Sequence, residues 1–211
     1  IDISKIEDAI SPATKVIAPV DYAGYPVDIE AIMAIAKEKD IVVIEDAAHA
    51  LGAERNGQKV GTQADMTMFS FHPVKHITTG EGGVMVTDNE VFDKRMRVFR
   101  THGITKESSD FFGENEGPWY YEMQALGFNY RITDFQCALG ISQLRKLPAS
   151  LIRRRQIADY YFDSLSNRTG ITLPPLPKTK DTSHAFHFFP VLFTGKNRKK
   201  VYLALKEKGI S

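Results

Sequence analysis

Two periods of apolar residues run through the first half of the chain, and they predict different elements. The run TKVIAPV (Thr14 to Val20) is short and β-branched, as a strand is. Asp28 then opens DIEAIMAIAKEKD, where Ile29, Ile32, Ile35 and Ala36 recur at helical spacing on one stripe. The continuous apolar run Ile41 to Ile44 follows, the pattern of a strand buried on both faces in a parallel sheet. These three segments predict a βαβ unit. ADMTMFSF (Ala64 to Phe71) and GGVMVT (Gly82 to Thr87) add two strands. Asn89 is placed to cap a helix through Val98, with Phe92, Arg95, Met96 and Phe99 three and four apart. The whole pattern predicts an α/β layer fold.

From Gly103 to Tyr130 no period is sustained, and five glycines and prolines lie among aromatics such as Trp119, Tyr120 and Tyr121. A loop of that length usually carries function. Thr133 with Gln136 forms a capping box for the helix TDFQCALGISQLRKL, which Pro148 is expected to close. LIRRRQIADYYFDSL predicts a second helix, PPLPK (Pro174 to Lys178) a stiff connector, and AFHFFPVLF a strand that begins a new unit. The chain opens on Ile1 and stops at Ser211 inside the helical pattern ALKEKGIS, which reads as a piece of a longer protein.

Composition narrows the partners. Among 211 residues, 27 Lys and Arg balance 26 Asp and Glu, which leaves no basic footprint for nucleic acid or an acidic membrane. With 43% hydrophobic residues the chain can build a core, and no run reaches the roughly 18 apolar residues of a membrane span. Small molecules or protein are the expected partners. The single cysteine, Cys137, is expected in the core; it permits no internal disulfide, which suits the reducing cytoplasm.

Candidate chemistry gathers in EDAAHA (Glu45 to Ala50) and SFHPVK (Ser70 to Lys75), each at the end of a predicted strand, and in TTGEGG just beyond. Ligands of open α/β sheets collect at the carboxyl ends of strands, so Asp46, His49, Ser70 and Lys75 are expected to face one crevice. Alone, Asp46 could simply cap a turn, and a loop lysine is usually a solvated charge. TTGEGG lacks the GxGxxG spacing of a nucleotide loop and is expected to be a turn. His72 and His76 are four apart, but Pro73 intervenes and no HExxH glutamate is present, so no metal site is expected. His76, His102, His184 and His187 have no evident partners in the sequence.

The runs VVIEDAAHALGA, DMTMFSFHPVKHITTGEGG, FRTHG and LGFNYRITDFQCALGISQL resemble the DegT/DnrJ/EryC1/StrS family of sugar aminotransferases, which use pyridoxal 5'-phosphate. The resemblance spans nearly the whole chain. It implies the aspartate aminotransferase (type I) fold, a large, mostly parallel sheet domain followed by a smaller C-terminal domain. Residues 1–148 would then be part of the large cofactor-binding domain, and 149–211 a linking helix and the start of the small one. HPVKHITTGEGG, DFFGEN and ALGISQL resemble most the members that move an amino group from glutamate to the C4 ketone of a UDP-linked 4-keto-6-deoxy amino sugar. Relatives acting at C3 or on dTDP or GDP sugars remain open, as does a non-catalytic cofactor-binding paralogue. Sugar dehydratases of the family carry histidine where Lys75 stands.

Carried over by position, the resemblance implies that Lys75 bonds to the cofactor and shuttles a proton. It places Asp46 at the pyridine nitrogen, His49 near the phenolic oxygen and Ser70 at the phosphate. Asn129 would reach the phosphate in a neighbouring subunit and Arg131 the diphosphate of the substrate, which implies a homodimer with shared sites. An upstream phosphate loop and a ring-stacking aromatic, both family features, are not identifiable in these residues.

Overall fold

The computed structural model describes residues 1–177, 179–195 and 197–210, so Lys178, the end of the expected connector, lies outside the described residues. A short helix α1 (Ile6–Ala9) precedes strand β1 (Val16–Ile17), helix α2 (Ile29–Glu38) and strand β2 (Val42–Asp46). A small hairpin of β3 (Glu54–Arg55) and β4 (Gln58–Lys59) leads to β5 (Met66–Ser70) and β6 (Gly83–Val86). The main sheet has the order β1-β2-β5-β6; β1, β2 and β5 run parallel and β6 is antiparallel to β5. This is the expected mostly parallel α/β sheet.

Local signals set α2. The Asp28 carboxylate accepts the Ala31 amide hydrogen as an N-cap, and Ile29, Ile32 and Ala36 bury one stripe against Ile17, Ile41 and Val43. Only one face of β2 is fully covered: Val43 and Glu45 are buried, while Val42 and Ile44 are half-buried. The expectation of burial on both faces therefore holds for one, because α2 shields that side and the described residues only partly cover the other. A second core joins Ala47, Ala50, Ala53 and Phe69 to Leu151 and Ala185, which come from far along the chain.

Helix α3 (Glu90–Phe99) starts where expected, with the Asn89 side chain accepting the amides of Val91 and Phe92. The long loop contains a two-stranded ribbon, β7 (Ile104–Thr105) against β8 (Glu122–Met123), too short to leave a period in the sequence. Its base is tight: an added Cβ at Gly103, where φ is +70°, would run into the Ala125 carbonyl oxygen. Helix α4 (Asp134–Leu144) carries the predicted Thr133–Gln136 capping box. Pro148 sits in the first turn of α5 (Leu147–Leu165), where it opens a helix instead of closing one.

Strand β9 (Ile171–Thr172) pairs with β10 (Leu192–Phe193), and α6 (Arg198–Glu207) follows. The expected strand AFHFFPVLF is largely irregular. Phe186 takes φ +46°, which breaks the extended run, and only Leu192 and Phe193 enter a ladder. The helical pattern read across ALKEKGIS ends at Glu207, and Gly209 turns with φ +79°. Cys137 is exposed, against the expectation of a core position. Of α4 only Gly140 is buried, and Phe135 is 90% exposed, so the apolar residues of this helix face away from the sheet.

Candidate active site

The carboxyl ends of β2 and β5 lie side by side, with Asp46 in register with Met68. Because side chains alternate along a strand, Asp46 and Ser70 project on the same face, opposite the α2-covered side that holds Glu45, Thr67 and Phe69. The Asp46 Oδ1 accepts the Ala48 amide at 3.1 Å, the turn-capping role available to any strand-end aspartate. Its Oδ2 has no hydrogen-bond or ion-pair partner among the described residues. Ser70 Oγ accepts the His72 amide at 3.4 Å, which leaves its hydroxyl hydrogen free to donate.

Lys75 stands in the turn after β5, its amide bonded to the His72 carbonyl at 2.9 Å and its side chain half-buried. TTGEGG is the expected turn. Thr79 donates its hydroxyl to the Glu81 carbonyl at 2.7 Å, and Gln136 of α4 donates to the same oxygen at 2.8 Å, which ties α4 to the lysine turn.

His49 lies within electrostatic reach of both Lys75 and Asp46. Burial lowers its pKa, the Lys75 ammonium acts in the same direction, and the Asp46 carboxylate opposes them. The sequence-predicted Asp46, His49, Ser70 and Lys75 therefore meet at one sheet end. Asn129 and Arg131 are both exposed, and the Asn129 segment pairs with Thr101.

Sequence reasoning missed a cluster of histidines beside the lysine. His187 stacks on His49 with ring centroids 4.4 Å apart and lies 5.4 Å from His76. His76 is 7% exposed, and its Nε2 contacts the Ala185 carbonyl at 3.1 Å. The segment that brings His184 and His187 here is held by Ala185 and His187 amides donating to the Gly24 and Ala23 carbonyls. Arg154 of α5 adds bonds to the Phe186 and His187 carbonyls at 3.0 and 3.2 Å. The HxxH spacing of His184 and His187 was the only signal in the sequence, and it does not reveal a contact more than a hundred residues away.

Burial, the leading cause, holds His76, His184 and His187 each at a pKa of about 4. The unfolded chain takes up these protons near pH 6.5, so acid favours unfolding between about pH 6.5 and 4, by up to about 1.4 kcal/mol per pH unit for the buried His76 and His184 and by less for the part-exposed His187. The unfolding midpoint is therefore expected to drop across that window, and less steeply in His76→Gln. A His76→Gln profile parallel to that of wild type from about pH 6.5 to 4.5 would show that the His76 ring titrates normally.

A carboxylate oxygen without a partner, a half-buried amine, a neutral imidazole and a free hydroxyl can together hold a protonated nitrogen heterocycle, a carbonyl carbon and a phosphate. That donor set fits pyridoxal phosphate.

Comparison with known proteins agrees with this chemistry. The chain is 40% identical over 176 residues to the UDP-4-amino-4,6-dideoxy-N-acetyl-beta-L-altrosamine transaminase of Campylobacter jejuni, covering 83% of this chain and 44% of that one. Helicobacter pylori PseC, an aminotransferase of pseudoaminic acid biosynthesis, superposes with a TM-score of 0.89 at 35% identity, over 99% of this chain and 54% of that one. A putative sugar aminotransferase of Streptococcus pneumoniae, solved in its PLP form, gives a TM-score of 0.85 at 30% identity, over 100% of this chain and 57% of that one. The fold is thus that of the pyridoxal phosphate aminotransferases, and the chain spans about half the length of the relatives it matches. The profile of the DegT/DnrJ/EryC1/StrS aminotransferase family matches residues 1–211, and the chain belongs to that family.

Proposed function

We propose that the whole protein transfers an amino group from glutamate to the C4 ketone of a UDP-linked 4-keto-6-deoxy amino sugar, with pyridoxal phosphate as cofactor. The observation that carries this reading is the convergence of Lys75 with Asp46 and Ser70 at the carboxyl ends of β2 and β5, in a chain of this family. When bound, the cofactor supplies an electron sink and carries the amino group between two half-reactions. Lys75 supplies the amine that bonds to it and then moves a proton at the substrate carbon. The Ala48 amide fixes Asp46 through Oδ1, so that Oδ2 can keep the pyridine nitrogen protonated. Ser70 donates to the phosphate, and neutral His49, stacked on His187, borders the phenolic oxygen.

Residues 1–148 then form part of the cofactor-binding domain and 149–211 lead into the small one. A homodimer completes each site, with Asn129 at the neighbour's phosphate and Arg131 at the substrate diphosphate. Supporting this, both are exposed and sit among the exposed rings Phe128 and Tyr130. The single cysteine goes with a cytoplasmic setting.

The reading is tested by incubating the full-length protein with glutamate and a UDP-linked 4-keto-6-deoxy amino sugar and following the aminated sugar by mass spectrometry. Formation of the 4-amino product supports it; turnover only of 3-keto or dTDP- and GDP-linked sugars overturns the substrate assignment. In the same assay Arg131→Ala is expected to raise the KM for the sugar nucleotide about tenfold or more and leave that for glutamate unchanged, since only the former carries a diphosphate. Equal changes in both KM values would make Arg131 structural.

A further inference from the structure

We propose that Asp21 and Glu45 share one proton beneath Asp46 and act as a positioning pair, fixing the main chain from which the Asp46 carboxylate projects. The inference rests on the role given above to Asp46. Asp21 is 0% exposed and Glu45 2%, and neither meets a cation among the described residues. Two buried, unpaired negative charges at close range are not tolerated, so one carboxyl must keep its proton.

The hydrogen bonds say which. Glu45 accepts the Thr67 hydroxyl at 2.9 Å, a donor that favours the carboxylate and opposes the upward pull of burial on its pKa. Asp21 Oδ1 accepts the Val27 amide at 2.8 Å, while its buried Oδ2 has no donor among the described residues. A proton on that Oδ2 would satisfy it by donating to the carboxylate of Glu45, whose charge acts directly on Asp21. Burial, then the charges of Glu45 and Asp46, raise the Asp21 pKa to about 8, the Val27 amide opposing them.

The same residue holds Asp46 by its backbone. The Asp21 amide donates to the Asp46 carbonyl at 3.0 Å, and the Asp46 amide donates to the Pro19 carbonyl at 2.8 Å. Val20 and Asp46 form a parallel bridge, so β2 ends clamped to the segment that carries Asp21. The Asp21–Val27 bond also closes the turn bearing Tyr22, whose ring meets His49 at 6.3 Å. Glu45 sits one residue before Asp46 on the helix-covered face. The pair is therefore joined to the crevice carboxylate both along β2 and across the bridge.

Above about pH 7.5 the histidines are nearly neutral in folded and unfolded chains alike, which isolates Asp21. The unfolded chain has by then released the Asp21 proton and the folded one retains it, so stability falls as pH rises toward about 8 and then levels. Unfolding midpoints of the full-length apoprotein are measured between about pH 7.5 and 9, and cofactor dissociation constants at pH 7 by absorbance.

Wild type is expected to lose midpoint across that range. Asp21→Asn should not, because its amide replaces the proton donor and its oxygen still accepts from Val27. Glu45→Gln should flatten the profile too, since its amide can donate to an ionised Asp21. Asp21→Ala is expected to weaken cofactor binding on the order of tenfold, as loss of an outer-shell support does, with Asp21→Asn within about twofold of wild type. A slope that persists in Asp21→Asn or Glu45→Gln overturns the shared proton. Equal cofactor affinity in Asp21→Ala and wild type overturns the positioning role. A wild type that binds no cofactor would instead overturn the function proposed above and leave the pH profile to decide the pair.

Discussion

Replacing Lys75 by arginine in the full-length protein is expected to cut turnover on the order of 10³-fold or more while leaving the fold and the local charge intact. The two side chains differ where it counts. A guanidinium stays protonated under all working conditions and can neither bond to a carbonyl carbon nor take a proton from one, whereas an amine beside a partly dry crevice can do both. Lys75 is half-buried, follows directly on the strand that ends at Ser70, and acts electrostatically on His49, His76 and His187. The Lys75 side chain makes no ion pair among the described residues. Circular dichroism and steady-state rates check the outcome together. A folded Lys75→Arg protein that keeps a tenth or more of wild-type turnover would remove Lys75 from the chemistry.

Asp46→Asn is expected to lower kcat roughly 10²–10³-fold, the range seen when one group aimed at developing charge is removed. The substitution is nearly isosteric, and the asparagine oxygen can still accept the Ala48 amide that Oδ1 accepts at 3.1 Å, so the turn after β2 survives. What disappears is the negative charge that, in the role proposed for Asp46, keeps the pyridine nitrogen protonated. The unfolding midpoint should therefore move little while turnover collapses. Kinetics within a few-fold of wild type would leave Asp46 as a turn cap and nothing more.

How much of this was legible in the sequence depends on the distance over which each feature is specified. The Asp28 cap, the Asn89 cap and the Thr133–Gln136 box could be read because all their atoms lie within three residues. Asp46 and Ser70 could be placed on one face because strand alternation fixes direction, and the family resemblance supplied the lysine. Long-range geometry could not be read. His187 reaches His49 through backbone bonds to Ala23 and Gly24 and through Arg154, none of which leaves a pattern in sequence. Phe186 reads as a strand residue but takes φ +46°, imposed by those same contacts. Asp21 and Glu45 look like two unremarkable acids until β1 and β2 bring them together. Cys137 was misplaced because a helix full of apolar residues suggests burial, and α4 turns them outward instead.

Covalent mapping shows whether the cofactor is carried on Lys75. Purified full-length protein is treated with borohydride, digested, and sequenced by mass spectrometry. A single pyridoxyl group is expected on the Lys75 side chain of the SFHPVK peptide, with loss of the cofactor's visible absorbance in proportion to labelling. A pyridoxyl group on another lysine, or none in a protein that retains transaminase activity, would contradict it.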